Sequence, residues 1–497
     1  MTVRNSNLSL LGNMNSKEQR IILNASQQTA FGKLKLFLAA PAPRVFVLKG
    51  YAGTGKTTLV KELVSYLKAK RISYALLAST GRAAKILRDL SGNEAETVHS
   101  FIYKYMDFNK NLDSLFDKNG DVIEDEDSVY LRFGLNRNPL ERKDVYIIDE
   151  SSMISDRQTE LITQAEFGTG KLLTDLFSFD MAGHFIFIGD SYQLPPINQE
   201  QSPALSPEYI TNTFKIPVEE FALQQIMRQS AQNGIIGAAA VVRQRIDGAP
   251  EDPQGKYARN TWCSLPFRGS NDIILTPSQD ALARSYLQDI KDGDYTNASF
   301  ICKTNRQCFE YSAKFRRALA FSGDPKPGEL LLVTQNNYPT GLRNGDLVKI
   351  IEISSKEIHY AGLTFVNVTV EELFTKTRRS SLMIKHLPFE PASNLDAANQ
   401  KKLFVSFAIQ MRKRKIKQYS DEFRKAMMDD PFLNALRTSF GYALTCHKAQ
   451  GGEWNHVYAL FPRNILLNPT KGSYQWIYTA VTRAKDKLYL VDDFYIQ

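Results

Sequence analysis

The segment that most constrains this chain is residues 50–57, GYAGTGKT, which has the spacing G-x-x-x-x-G-K-[ST]. The apolar run 44–49 before it predicts a buried strand. The recurrence of Leu59, Leu63 and Leu67 after it predicts a helix. In this context the glycines let the backbone wrap a phosphate closely, with the helix N-terminus behind it. The segment therefore predicts a P-loop that binds a nucleotide.

Each part of this loop has an expected partner on ATP. Lys56 should reach the β- and γ-phosphates, and the hydroxyl of Thr57 should bind Mg²⁺. The predicted cofactors are therefore ATP and Mg²⁺. The expected nucleotide contacts in this segment are Gly50, Gly53, Thr54, Gly55, Lys56, Thr57 and Thr58.

Two further apolar strands end in polar residues. Residues 144–148 lead into Asp149 and Glu150, where the first acid would help to hold Mg²⁺ and the second would act as general base on the attacking water. Residues 184–190 lead into a proline-stiffened loop with Gln193, which could sense the γ-phosphate. An ordinary loop stopped by proline explains that segment equally well.

Size and charge restrict the class of protein. The 497 residues are too many for one core, and two to four domains are expected. A net charge of +9 favours an anionic partner, most simply nucleic acid, although a merely basic cytosolic enzyme fits as well. The four cysteines form no C-x-x-C pair, so neither a zinc site nor a disulfide framework is indicated. No apolar run reaches membrane-spanning length, so we expect a cytoplasmic protein without a membrane partner.

Several polar residues admit both a functional and a plain interpretation. Thr80 and Arg82 follow an apolar strand and suit a nucleic-acid backbone. Thr97 and His99 precede an aromatic run, but Thr97 could simply cap a helix. Gln27 could bind an adenine edge, although a surface glutamine is the commoner case.

Two stretches differ in pattern from the rest. Residues 103–142 contain the hairpin turn signal Asn119-Gly120 and an acidic run, and they predict a hairpin insertion. Residues 327–433 contain four short strand patterns and then the basic segment 412–417. That segment is either a solvated helix face or a contact with DNA phosphates.

The order of these motifs resembles that of superfamily 1B DNA helicases of the RecD/Dda group. The first half supplies Gln27, the P-loop, residues 78–85, Asp149-Glu150 and Gln193. The second half supplies 225–229 (QIMRQ), 302–306 (CKTNR), 443–454 (ALTCHKAQGGEW) and 478–484 (YTAVTRA). The resemblance covers roughly residues 23–484, and the last two segments are long and specific.

The resemblance implies an ATP-dependent DNA helicase that moves 5′ to 3′ on single-stranded DNA and unwinds tailed duplexes. The implied fold is α/β, with two RecA-like P-loop NTPase lobes, a hairpin insertion in lobe one and an SH3-like β-barrel insertion in lobe two. The expected boundaries are 1–102 and 143–220 for lobe one, 103–142 for its hairpin, 221–326 and 434–497 for lobe two, and 327–433 for the barrel with its basic helical segment.

The resemblance also assigns residues. Arg228 and Arg483 would stabilise the charge on the transferred phosphoryl group, as arginine fingers do. The implied catalytic set is Lys56, Asp149, Glu150, Gln193, Arg228 and Arg483, and Gln27, Gly451 and Glu453 join the nucleotide contacts. The implied DNA contacts are Thr80, Arg82, Thr97, His99, Thr304, Asn305, Thr445 and His447. Related helicases often have a proline that stacks on a base where this chain has Ser79, so backbone contact is expected there instead.

Three other functions fit parts of the pattern. An RNA translocase would share the machinery, and comparing stimulation by deoxy- and ribo-strands would separate the two. A P-loop enzyme of another class would need neither the 443–454 segment nor two arginine fingers. A non-enzymatic DNA-binding module would not turn over ATP. Repair, replication restart, recombination and mobile-element upkeep are all open as pathways, and a nucleoid-associated location is expected.

Overall fold

The computed structural model describes residues 23–41, 44–117, 129–158, 165–225, 233–248, 264–392, 394–467 and 469–497. Within these ranges the helices are α1 Ala25–Leu38, α2 Lys56–Lys70, α3 Gly81–Ser91, α4 Val98–Ile102, α5 Leu172–Phe179, α6 Pro207–Phe214, α7 Gly234–Asp247, α8 Gln279–Ile290, α9 Asn305–Ala318, α10 Ala397–Lys413, α11 Asp421–Asp429, α12 Cys446–Ala449, α13 Arg463–Leu467 and α14 Lys471–Val481.

The strands in the same ranges belong to four sheets. They are β1 Arg44–Gly50, β2 Tyr74–Ala78, β3 Glu96–Thr97, β4 Tyr103–Phe108, β5 Leu131–Leu135, β6 Val145–Asp149, β7 Ala165–Phe167, β8 His184–Gly189, β9 Val218–Leu223, β10 Ile273–Thr276, β11 Ala298–Cys302, β12 Leu330–Val333, β13 Leu347–Tyr360, β14 Leu363–Glu372, β15 Arg378–Ile384, β16 Thr438–Phe440, β17 Ala443–Thr445, β18 Trp454–Ala459 and β19 Ala484–Val491.

The first sheet has six strands in the order β3-β2-β6-β8-β1-β9, and all of its ladders are parallel. Its central strands are apolar and buried, as expected for a sheet covered by helices on both faces. Because parallel strands end at one edge, the P-loop after β1, the acids that close β6 and the loop after β8 share that edge.

The second sheet has five parallel strands in the order β10-β19-β18-β11-β17. It is also α/β, with a core that includes Tyr286, Phe300 and Tyr458. Thr304 follows β11, and Thr445 closes β17. The coarse prediction of two parallel α/β sheets is therefore confirmed.

The third sheet is antiparallel, in the order β15-β14-β13-β12-β16. β12 to β15 fall in the predicted second insertion, whereas β16 lies beyond its predicted end at residue 433. The segment before β16 also bonds to the opposite edge. The N–H of Leu436 donates to the carbonyl of Leu382 at 2.7 Å, and the N–H of Ile384 donates to the carbonyl of Leu436 at 3.2 Å. The sheet is therefore joined at both ends, while its SH3-like class stays a prediction.

The fourth sheet, β4-β5-β7, forms from the first predicted insertion and a later strand. β4 and β5 are antiparallel, with Tyr105 opposite Phe133. β7 adds in parallel to β5 and had no sequence signal. The predicted turn at Asn119-Gly120 lies outside the described residues.

Helices α10 and α11 pack on this fourth sheet, although they lie almost 300 residues away in the chain. The rings of Phe108 and Phe404 are 4.9 Å apart at their centres, and Phe407 and Phe423 complete the same cluster. The side chain of Gln418 adds hydrogen bonds to this contact. The two inserted segments therefore share one hydrophobic cluster.

No helix within the described ranges combines the length and the apolar character needed to cross a bilayer.

Candidate nucleotide and nucleic-acid site

The P-loop has the backbone geometry of a phosphate cradle. Gly53 and Gly55 have φ angles of +81° and +77°, the left-handed region that glycine adopts without strain. A side chain at Gly50 would come within 2.7 Å of the Thr54 hydroxyl. The ammonium of Lys56 donates to the carbonyls of Gly50 at 2.7 Å and Tyr51 at 3.2 Å, so it lies folded over the loop.

Gln27 fixes α1 to the P-loop. Its side chain is fully buried, and its Nε2 donates to the carbonyls of Thr54 and Gly55 at 3.3 and 3.2 Å. Its Oε1 accepts from the N–H of Asn24, which closes a capping box at the start of α1. The interpretation as a surface glutamine is wrong. A contact with an adenine edge would require one of these bonds to open.

Two adjacent carboxylates lie at the end of β6. Burial raises the pKa of both Asp149 and Glu150. The charge of Asp149 raises the pKa of Glu150 further, while Arg483 and Lys56 pull it down. The backbone of Glu150 is left-handed, with φ +49°, so its side chain leaves the direction of the strand. A raised pKa helps Glu150 to accept a proton as a general base, beside Asp149 as a metal ligand.

The donor set for Mg²⁺ fits its preferences. Within the described residues the hydroxyl of Thr57 has no hydrogen-bond partner, and Oδ2 of Asp149 has none either. Both are hard oxygen donors, which Mg²⁺ prefers. The described part of the chain contains no group of three or more side chains able to hold a metal alone. Mg²⁺ would therefore complete its coordination with phosphate oxygens and water, as is usual at such sites.

Arg483 reaches this edge from the second half of the chain. It is 3% exposed, and its guanidinium donates to the carbonyls of Thr479 and Gly452 at 3.0 and 3.2 Å and to the hydroxyl of Thr482. Its positive charge is near enough to Glu150 to lower the pKa of that carboxyl group. Arg228, the other predicted finger, lies outside the described residues.

The loop after β8 also contacts the second half. The N–H of Leu194 donates to the hydroxyl of Thr479 at 2.9 Å, and the side chain of Gln450 donates to the carbonyl of Leu194 at 3.1 Å. The Oε1 atom of Gln193 is buried and has no hydrogen-bond partner among the described residues. A buried acceptor without a donor costs about 1–3 kcal/mol, so a ligand donor at this position would be stabilising.

Four threonines predicted to bind DNA share one local geometry. Each is the N-cap of a helix, and its hydroxyl accepts from a backbone N–H of the first turn, as in the N-cap alternative considered for Thr97. They are Thr80, Thr97, Thr304 and Thr445. The strands before them, β2 and β3 in one sheet and β11 and β17 in the other, are edge neighbours. Asn305 and His447 belong to the helices that these caps begin.

The two predicted histidine contacts are uncharged at neutral pH. Burial lowers the pKa of His99 to about 4, and its ring lies 5.4 Å from that of Phe167. Burial also lowers the pKa of His447. Before DNA binds, burial therefore favours the neutral form of both side chains.

Matches to protein-family models divide the chain in the same way. Residues 22–252 match an AAA domain, and residues 440–491 match the UvrD-like helicase C-terminal domain. The chain is similar to an ATP-dependent RecD2 DNA helicase of Deinococcus radiodurans, with 23% identity over 465 residues, which are 90% of this chain and 46% of that protein. The predicted resemblance to superfamily 1B helicases is confirmed.

Other relatives match over shorter stretches or only in shape. An ATP-dependent DNA helicase Pif1 of a Psychrobacter species is 30% identical over 183 residues, 34% of this chain and 23% of that protein. A crystal structure of the Pif1 helicase from Bacteroides with ADP-AlF3 and single-stranded DNA aligns with 95% of this chain and 93% of its own, at 14% identity and a TM-score of 0.48. The chain thus spans less than half the length of the RecD2 relative.

One residue predicted to contact DNA, Arg82, is buried. Arg82, predicted to contact a phosphate, is only 8% exposed. Its guanidinium lies 4.2 Å from the ring centre of Trp454 and 4.6 Å from that of Phe374, and burial lowers its pKa to about 10. Arg82 therefore joins α3 to the second half of the chain and is not on the surface.

The glycine-rich segment of the helicase-like second half lies against the same helix. A Cβ at Gly451, whose φ is +73°, would lie 3.3 Å from the Cβ of Ala83. The carboxylate of Glu453, predicted near the ribose, is 4.0 Å from the ammonium of Lys485. Lys85 also crosses to the second half, in an ion pair of 2.8 Å with the buried Glu372.

Sequence reasoning missed a cluster of aromatic rings at the P-loop. The hydroxyl of Tyr478 donates to Oδ2 of Asp190 at 2.6 Å and lies 3.5 Å from the N–H of Ala52. The guanidinium of Arg243 lies 4.1 Å from the ring centre of Tyr51. Tyr478 lies in the recognised 478–484 motif, which could have signalled it. Arg243 lies on α7 and carries no comparable signal.

Proposed function

We propose that this chain is an ATP-dependent DNA translocase and helicase. The proposal rests on one observation. Side chains from the second half of the chain lie at the edge of the first sheet that carries the P-loop. The charge of Arg483 acts on Glu150, and the hydroxyl of Thr479 accepts a hydrogen bond from the loop after β8. Because ATP would lie between two halves that touch through these residues, its hydrolysis would change how the halves meet.

The roles follow from the groups present. When ATP binds, the ammonium of Lys56 would leave the loop carbonyls and donate to phosphate oxygens instead. Thr57 and Asp149 would hold Mg²⁺. The metal supplies neutralisation of phosphate charge when bound. Glu150 orients a water molecule and withdraws its proton, which its raised pKa favours. Arg483, together with Arg228, stabilises the charge that spreads over the transferred phosphoryl group.

Single-stranded DNA is the proposed track. The capped helix ends at Thr80, Thr97, Thr304 and Thr445 lie at the carboxyl edges of neighbouring strands in both sheets, and such ends favour phosphates. We assign lobe one to 1–102 and 143–220 and lobe two to 221–326 and 434–497, with two corrections: β9 carries lobe one on to Leu223, and β16 belongs to the sheet of the insertion. Movement 5′ to 3′, the SH3-like class of the 327–433 insertion and a cytoplasmic, nucleoid-associated location belong to the same proposal.

ATP turnover in the presence of defined strands tests the proposal. We expect single-stranded DNA to stimulate turnover strongly, and we expect a 5′-tailed duplex to be unwound in preference to a 3′-tailed one. A rate that is the same with and without oligonucleotide would refute the motor function. Preferred unwinding of the 3′-tailed duplex would refute the direction alone. Stronger stimulation by poly-ribo than by poly-deoxy strands would make RNA the track.

A further inference from the structure

The loop between α10 and α11 presents a basic surface that the proposed nucleotide and single-strand sites do not use. We name it the basic loop surface and define it as Lys413, Arg414, Lys415, Lys417 and Tyr419. All five side chains are exposed, and Tyr419 is 63% exposed. None of the four cations forms an ion pair in the described part of the chain. Four such cations within five residues favour a polyanion.

Two residues of this loop face inward and anchor its backbone. Ile416 is buried in the cluster that α10 and α11 form with the fourth sheet. Gln418 donates to Oδ1 of Asp107 at 3.0 Å and to the carbonyl of Lys110 at 3.1 Å, and it accepts from the N–H of Leu112 at 2.7 Å. These contacts fix the loop backbone at two adjacent points, so the exposed residues around them lie on the outer surface.

The surface is separate from the proposed single-strand groove. Thr97 and His99 lie at the start of α4, the short helix that leads into β4, and the ring of His99 packs on that of Phe167 in β7. Gln418 bonds near the other end of β4, at Asp107. At ~3.3 Å per residue a six-residue strand is about 17 Å from end to end, so the two regions contact different nucleotides.

We propose that the basic loop surface binds a second single strand, the one that leaves the duplex beside the strand held in the groove. An exposed aromatic ring among cations is the composition that holds unpaired bases by stacking and their backbone by charge. A duplex would offer its phosphates but would leave Tyr419 without a base to stack on. This inference deepens the proposed helicase function, because it assigns a contact to the other arm of a fork.

The test compares DNAs that share one duplex and differ in their tails: a 5′ tail alone, a 3′ tail alone, both tails, and both tails with abasic residues in one or the other. Binding is measured by fluorescence anisotropy without ATP at 50 and 200 mM salt. We expect the fork to bind about tenfold more tightly than the better single-tailed duplex, on the scale of one stacked base.

The variant K413A/R414A/K417A should lose this fork advantage. The salt dependence of fork binding should also fall by about 0.7 per phosphate contact removed. Tyr419→Ala should lose part of the advantage, and one of the two abasic tails should remove the same part in the unchanged protein. Arg412 is left in place because it lies over Phe116.

The matched control is K61A/K68A/K70A. These lysines are also exposed and unpaired in the described part of the chain, and the last two lie in the final turn of α2. The control removes the same charge from α2, which is remote in the fold from the loop between α10 and α11, so it should keep the fork advantage. A fork that binds no better than a single-tailed duplex would overturn the inference. So would equal losses on fork and single-tailed DNA, or an equal loss in the control. Failure of the helicase function would appear separately, as absent DNA-stimulated ATP turnover.

Discussion

Tyr478→Phe removes one hydroxyl between the two halves and leaves the ring in place. That hydroxyl donates to the buried Asp190 at 2.6 Å, and Asp190 itself follows the last residue of β8. A hydrogen bond to a charged group contributes about 1.5–3 kcal/mol. If the bond exists only when the halves meet, the equilibrium constant for closure falls by a factor of about 10–150, and the closed fraction falls by no more than that. We therefore expect DNA-stimulated kcat to fall, by at most this factor.

The first half contains a matched bond that does not cross between the halves. The hydroxyl of Tyr146 donates to the buried Asp180 at 2.7 Å and accepts from a backbone N–H. Tyr146→Phe should therefore lower the free energy of unfolding by a similar 1.5–3 kcal/mol, measured by urea titration, and leave kcat unchanged. Equal effects of the two variants on kcat would refute the reasoning, since stability alone would then explain the loss. Unchanged kcat in Tyr478→Phe would refute it as well.

Three further substitutions test the nucleotide site. Lys56→Ala should abolish ATP turnover, whereas Lys49→Ala, which breaks only a surface ion pair with Glu220, should not; normal turnover in the first would refute the P-loop role. Glu150→Gln should bind ATP and DNA but hydrolyse hardly at all, and brisk single-turnover hydrolysis would exclude it as the base. Arg483→Ala should slow kcat more than it weakens ATP binding. Because Arg483 lowers the pKa of Glu150, its loss should also move the acid limb of the kcat–pH profile to higher pH, and Arg483→Lys should restore that limb; an unmoved limb would contradict the contact.

The first sheet was predictable because its signals are local. A strand, a glycine loop and a helix are specified within about 25 residues, and apolar strands that end in acids or hydroxyls follow the same rule. Gln27 shows where that reasoning stops. Its buried bonds to the carbonyls of Thr54 and Gly55 join residues about 30 positions apart, and no periodicity predicts them. The sequence signal identified the residue but not its partner.

Contacts between segments that are far apart in the chain could not be predicted from the sequence for a related reason. Arg82 was predicted to contact a nucleic-acid backbone, but its guanidinium lies against the rings of Trp454 and Phe374 from the second half. The packing of α10 and α11 on the fourth sheet likewise depends on the shape complementarity of Phe108 with Phe404 and Phe423. Shape is a property of the folded chain, so neither arrangement follows from local pattern.

The contacts between the two halves are buried, whereas the cations proposed to bind DNA are exposed. The halves meet through buried bonds of Tyr478, Thr479 and Gln450, and through the Lys85–Glu372 ion pair, which is 19% and 4% exposed. Salt screens such buried contacts little. Exposed cations on DNA release counterions, so their binding weakens steeply with salt. Raising the salt concentration should therefore remove stimulation by DNA before it separates the halves, and basal ATP turnover should persist where stimulation is lost.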